Sequence, residues 1–262
     1  FLDREPLDSV TPDNFFFTEN DLAAYAVKHY NFTTHEGFNA GIWRNDNATD
    51  NQAATDYDKK WIPGQWKVPE AYDNPASNDP WYFSAIREAN YFLETVVPRF
   101  EKGEIEGSET NIKHYIGEMY FLRAKNYLSK LETFGDFPII KNTLPDESVS
   151  LIQASKREPR HKVARFILED LDLAIGLLTN TISGGKNRIT KNAALLLKSR
   201  AALYEASWLT YHKGTALVPG GPGWPGKAED IADFNIDTEI AFFLKEAKAA
   251  AKEVIGNAAL VQ

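Results

Sequence analysis

The chain has 262 residues, 43% of them hydrophobic and 25% charged, which is the balance of a globular protein long enough to bury a sizeable core. Its net charge of −8 argues against nucleic acid or an anionic membrane surface as the main partner. The lack of cysteine excludes disulfides, thiolate catalysis and zinc–cysteine sites, and no apolar run approaches the length of a membrane-spanning helix. The first residue is Phe rather than Met, and no signal sequence precedes it, so the chain reads as a processed or cut product.

In chain order, six helices are expected. Thr18-Glu19-Asn20-Asp21 has the form of a capping box, followed by Leu22, Tyr25, Ala26 and Tyr30 at helical spacing. Asn78 or Asp79 is placed to cap a second helix with Pro80 in its first turn; Tyr82, Phe83, Ile86, Ala89, Phe92 and Leu93 supply its apolar face. Pro98 is expected to end or kink it. The third helix is the longest: from Asn111, apolar residues at Ile112, Tyr115, Ile116, Met119, Leu122, Tyr127, Leu128, Leu131 and Phe134 form one broad stripe. Gly117 and Ala124 share a face and allow close approach of a neighbouring backbone. Gly135 is expected to end this helix in a left-handed conformation, with Pro138 forbidding its resumption.

Phe137-Pro138-Ile139-Ile140 reads as a short extended piece. A fourth helix starts near Pro159 and uses Val163, Phe166, Ile167, Leu171, Ala174 and Leu178, with Gly184-Gly185 beyond its end. Thr190 caps a fifth that carries Ala193, Leu196, Leu197, Ala201, Tyr204 and Trp208. The sixth follows Asp237 through Ile240, Leu244, Ala247, Ala251 and Val254 to Gly256. The pattern is all-α, in antiparallel pairs with Ala, Gly and Tyr on facing surfaces. Such small facing residues suit tetratricopeptide-like stacking, here as irregular repeats interrupted by long loops.

Function is sought in the loops. The stretch 32–77 is too long for a mere connection. It holds Trp43, Trp61, Trp66 and Tyr72 among Asn45, Asp46, Asn47, Asp50, Asn51, Asp56, Asp58 and Asn74. Aromatic rings offer flat faces to the C–H groups of sugars, and short amides and carboxylates bond to neighbouring hydroxyls, so this composition suits a carbohydrate surface. The competing reading is that each Trp pins the loop to the scaffold. A second loop, 214–227, carries Trp224 between Gly and Pro residues; it either rims the same surface or is a rigid crossover.

Other constellations fail on chemistry. Gly221 to Lys227 has the spacing of a phosphate loop, but Ala228 stands where a magnesium-binding hydroxyl is needed, and Pro222 and Pro225 remove backbone donors. Counted from Asp46, an EF-hand would need glycine at Asn51 and glutamate at Tyr57, which leaves only an irregular calcium site open. His29, His35, His114, His161 and His212 are scattered. No carboxylate pair stands out for glycoside hydrolysis, and Glu118 and Arg123, inside the third helix, suit structural polar contacts. No cofactor, no metal and no enzymatic activity is expected.

The run Gly117-Glu118-Met119-Tyr120-Phe121-Leu122-Arg123-Ala124, continuing to Phe134-Gly135-Asp136-Phe137-Pro138, resembles the SusD/RagB family of bacterial outer-membrane nutrient-binding lipoproteins. Ile86-Arg87-Glu88-Ala89-Asn90-Tyr91-Phe92-Leu93-Glu94 is similar to the family's preceding helix. Ser155-Lys156-Arg157 with Ile167-Leu168-Glu169-Asp170-Leu171 is similar to its following one. Arg188 to Ala194 and Arg200 to Ser207 extend the likeness in the same order. The resemblance implies a SusD-like helical fold over 1–262, incomplete at its C-terminus because such proteins run to roughly twice this length. It implies capture of oligosaccharide at the cell surface, a lipid anchor at an N-terminal cysteine outside this chain, and partnership with a TonB-dependent outer-membrane transporter. The alternative is a helical scaffold that docks the transporter without glycan affinity of its own. Relatives build the early part of their site from the loop before the Ile86–Glu94 helix, which carries over as Asp50, Asn51, Trp61, Trp66, Tyr72 and Asn74.

Overall fold

A computed structural model describes residues 15–30, 32, 81–181 and 187–257. Seven α-helices lie among them: α1 Glu19–Lys28, α2 Ser84–Glu101, α3 Glu109–Phe134, α4 Ser148–Ala154, α5 Arg160–Leu177, α6 Lys191–Tyr211 and α7 Ile236–Asn257. A 3-10 turn, Ala228–Ile231, precedes α7. β pairing among the described residues is confined to two isolated bridges, Thr18 with Glu106 and Phe137 with Glu158.

Local chemistry accounts for most of the helix ends. Thr18 caps α1 in a complete capping box: its hydroxyl accepts from Asp21 N, and the Asp21 carboxylate accepts from Thr18 N at 3.0 Å. Thr190 caps α6 through Ala193 N at 3.2 Å. The proposed caps Asn78 and Asp79 lie outside the described residues, and α2 starts after Phe83 without a side-chain cap. Pro98 does not end α2, which continues to Glu101. In the last turn the missing N–H forfeits a single helical bond, while Val96 stays fully buried just before it. Gly135 has the positive φ expected, 72°, but with ψ −101° it lies outside the left-handed helical region of the usual cap. α4 was not expected. It has seven residues, too few for a helical period to be read from the sequence, and buries none of them.

Contacts down the chain define an up-and-down array. α3 packs on α1, α2 and α5, and α6 packs on α5 and α7. The N-terminal half of α3 meets the end of α5 at Gly117, where an added Cβ would lie 3.0 Å from Leu177 and Leu178 side-chain atoms and 3.3 Å from the Ala174 carbonyl. The C-terminal half of α3 meets the start of α5 through Tyr127 and Phe166, ring centroids 4.9 Å apart. α6 and α7 likewise run antiparallel, held close by the Ser199 hydroxyl on the Ala247 carbonyl at 2.9 Å. This is the all-α, tetratricopeptide-like arrangement read from the small facing residues.

α3 is the axis of the molecule. Fourteen of its residues are buried, among them Ile112, Met119, Leu122, Ala124, Tyr127 and Leu131. Its length of 26 residues corresponds to about 39 Å of helix, so everything packed along it is held in fixed register.

Candidate functional site

Asp50, Asn51, Trp61, Trp66, Tyr72 and Asn74 lie outside the described residues, as do Trp43, His35 and the acidic run from Asp46 to Asp58. What the fold does define is how the long loop is rooted at both ends, and both roots are on α3.

The first root is polar. Glu118 is fully buried and accepts from Arg188 at 2.9 and 2.5 Å. Tyr30 completes the group: its hydroxyl lies beside the Glu118 charge and accepts from Ile189 N at 3.0 Å. Burial, reinforced by the Glu118 charge, pushes the Tyr30 phenol well above its ordinary range, so it stays a donor. His114 Nδ1 accepts from Thr179 N at 3.2 Å, which leaves the proton on Nε2. That Nε2 faces Glu118 Oε1 at 3.2 Å as an electrostatic contact rather than a well-directed hydrogen bond. The Phe32 ring lies 6.5 Å from Phe121, with Lys125 Nζ 5.4 Å above it.

The second root is aromatic. The Trp81 ring sits 4.0 Å from Phe134 and 5.9 Å from Phe137, with the Arg157 guanidinium 4.9 Å from its centroid. Phe83 stacks on the fully buried Phe137 at 5.1 Å. Glu118 and Phe134 are 16 residues apart on one helix, so the two roots stand about 24 Å apart.

The Phe-Gly-Asp-Phe-Pro turn at the end of α3 also organises the next layer. Asp136 accepts from Arg160 N and from Trp224 Nε1, both at 2.8 Å. Burial raises its carboxyl above the usual range, against those two donors. The Arg160 guanidinium bonds to Glu205, with contacts from 2.8 to 3.2 Å, and covers the Trp208 ring at 4.2 Å. A neighbouring network holds the chain just after the turn. Arg123 forms a two-pronged pair with Asp170, both contacts 2.7 Å, and reaches Asn90 Oδ1 at 2.8 Å. Asn90 in turn donates to the carbonyls of Ile140 and Asn142. Burial pushes Tyr127 up to about 12 even though Ile140 N–H donates to its oxygen. Glu118 and Arg123 are thus both committed to buried structural pairs.

An apolar cavity of about 240 Å³ opens beside this network, lined by Phe83, Ile86, Pro138, Ile140, Leu144 and Leu151 with Arg87, Asn90, Asn142 and Ser155. The loop 214–227 folds closely on itself. An added Cβ at Gly221 would fall 1.8 Å from the Thr215 carbonyl oxygen, so only glycine fits where the loop folds on itself. Trp208 Nε1 donates to Leu217 O at 3.0 Å, and Trp224 fastens the loop to Asp136. Among the described residues no cluster of three His, Asp or Glu side chains is placed to hold a metal ion. Sequence reasoning passed over Trp81; its position at the end of the long loop, three residues before an amphipathic helix, was the available signal.

A family model for SusD-like proteins, described as starch-binding and associating with the outer membrane, matches residues 1–203. The chain is 26% identical over 251 residues to SusD-like protein P2 of Formosa agariphila, covering 93% of this chain and 44% of that protein. It superposes on a SusD-like protein from Bacteroides fragilis with a TM-score of 0.58 at 25% identity, covering 78% of this chain and 38% of the other. A SusD-like carbohydrate binding protein from the same species gives 0.55 at 18% identity over 76% and 40%, a likeness of fold. The chain spans less than half the length of each of these relatives.

Proposed function

The chain belongs to the SusD-like family, and from that premise we propose that the protein captures oligosaccharides at the outer-membrane surface for import through a TonB-dependent transporter. The observation that carries this reading is the family match across residues 1–203. It acts by binding and releasing glycan, without catalysis, and its own contact with the membrane is a lipid anchor. The binding surface is the long loop: Trp61, Trp66 and Tyr72 stack on sugar rings while Asp50, Asn51 and Asn74 bond to hydroxyls. Support comes from the roots of that loop. A surface that must hold ring faces at fixed spacing needs rigid anchorage, and the Glu118 and Phe134–Phe137 ends of α3 supply it at both sides.

The test is a full-length protein carrying Trp61→Ala and Trp66→Ala, titrated with an oligosaccharide panel by calorimetry. Loss of binding with an unchanged melting temperature is expected; binding as tight as wild type overturns the site. A second reading, a helical scaffold that docks the transporter and has no glycan affinity, draws on exposed apolar residues such as Val149 and Ile152 of α4 and Leu196 and Leu203 of α6. Co-purification with a barrel transporter from a protein that binds no glycan would favour it.

A further inference from the structure

The apolar cavity of about 240 Å³ lies where three elements meet: the first two turns of α2, the chain after the Phe-Gly-Asp-Phe-Pro turn, and α4. Ile86, Asn90 and Pro138 are buried and form its floor. Arg87, Asn142, Leu151 and Ser155 are exposed and form its rim, with Phe83, Ile140 and Leu144 half-buried between the two.

The floor and walls are preformed. Phe83 stacks on Phe137 at 5.1 Å, and Ile140 N donates to Tyr127 Oη at 2.8 Å. Asn90 spends its whole amide on the protein, donating to the carbonyls of Ile140 and Asn142 at 2.9 and 3.2 Å and accepting from Arg123 at 2.8 Å. Water in the cavity therefore finds few partners on the floor, and an apolar group that displaces it gains affinity. A cavity of about 150 Å³ holds benzene, so 240 Å³ suits a fused bicyclic ring or a phenyl ring with a short chain. The rim has the opposite character. Arg87 is the single charged residue among those lining the cavity, and among the described residues no ion pair or side-chain hydrogen bond engages its guanidinium. The next residue, Glu88, is taken up by His29 at 3.1 Å and does not line the cavity. α2 starts here without a side-chain cap, so the positive end of its dipole adds to the Arg87 charge.

We propose that this cavity is a binding site for a small aromatic carboxylate, with its ring among Phe83, Ile86, Ile140 and Leu151 and its carboxylate at the rim on Arg87. The apolar body supplies affinity by leaving water, and the charge-assisted pair with the guanidinium fixes which end faces outward. None of the residues assigned above to glycan belongs to this site, and the inference does not depend on that assignment.

The experiment titrates the full-length protein with 2-naphthoate and with its neutral analogue 2-naphthamide, followed by saturation-transfer NMR and calorimetry. Saturable binding of 2-naphthoate is expected, about tenfold tighter than that of the amide, equivalent to ~1.4 kcal/mol. Arg87→Met, which keeps an unbranched stem and removes the charge, should bring the acid down to the affinity of the amide and leave the amide unchanged. Leu151→Trp should fill the cavity from α4 and abolish binding of both probes. Both positions are exposed, so neither change disturbs the core. A wild-type protein that shows no saturable binding of 2-naphthoate at millimolar concentration overturns the inference. So does binding of the acid that survives Leu151→Trp, or that is as tight in Arg87→Met as in the wild type.

Discussion

The two anchor points along α3 do the same job with opposite chemistry. Near its N-terminal half, a buried carboxylate gathers Arg188, Tyr30 and His114 and so ties down the start of the long loop. At its C-terminal end, four aromatic rings, Trp81, Phe83, Phe134 and Phe137, tie down the other side. The polar anchor is all-or-none, because each partner left behind by a deletion is a buried group without a mate. The aromatic anchor is graded, because losing one ring removes area but strands no charge.

The sharpest way to break this contrast is Glu118→Ala. It leaves the Arg188 guanidinium facing an empty site and should cost about 3–5 kcal/mol in urea unfolding, with loss of cooperativity in the Tyr30 region by hydrogen exchange. A cost under about 1 kcal/mol would show that water replaces the carboxylate and that the anchor is not buried in effect.

Acid should separate the two ends next. His161, in the turn region where α5 begins, is buried against Phe234, and that burial, with the charges of Lys162 and Arg165, pushes it down to about 4. Its folded pKa lies below the unfolded value of 6.5, so its contribution is fully present above pH 6.5 and is lost as pH falls toward 4. The loss should be on the order of 3 kcal/mol by denaturant titration at stepped pH, and His161→Phe should flatten it.

Trp81→Ala probes the aromatic end. Half-buried, it should cost roughly 2 kcal/mol and lower the melting temperature without the all-or-none signature of Glu118→Ala. The smallest effect is expected at Gly117, beside the polar anchor. Gly117→Ala adds a methyl 3.0 Å from Leu177 and Leu178 but gains helix propensity, for a net cost of about 1 kcal/mol in thermal unfolding. A stabilised Gly117→Ala would mean that α5 moves aside freely.

Much of the fold was legible because helices are written locally. The stripe from Ile112 to Phe134, the Thr18 box and the Thr190 cap are all decided within a few residues, and each helix they mark is present. α4 escaped because seven residues are too few for a helical period to show in the sequence, and none of them is buried. Of the two outcomes read for Pro98, ending the helix did not occur, because a proline in a last turn forfeits one bond rather than a helix. For the binding surface, composition named the aromatic and Asx residues of the long loop, while its anchors were invisible. Glu118 and Arg188 lie 70 residues apart, Arg160 and Glu205 are separated by 45, and Asp136 and Trp224 by 88.

The amino-acid sequence by itself determined the helical class, most helix boundaries and the family, because periodicity, capping and motif wording are properties of neighbouring residues. Only the tertiary structure decided where along α3 the loop is anchored by charge and where by aromatic packing, and that Trp224 is held by Asp136. Those outcomes depend on which distant side chains share a buried volume, and pairing across tens of residues leaves no local trace.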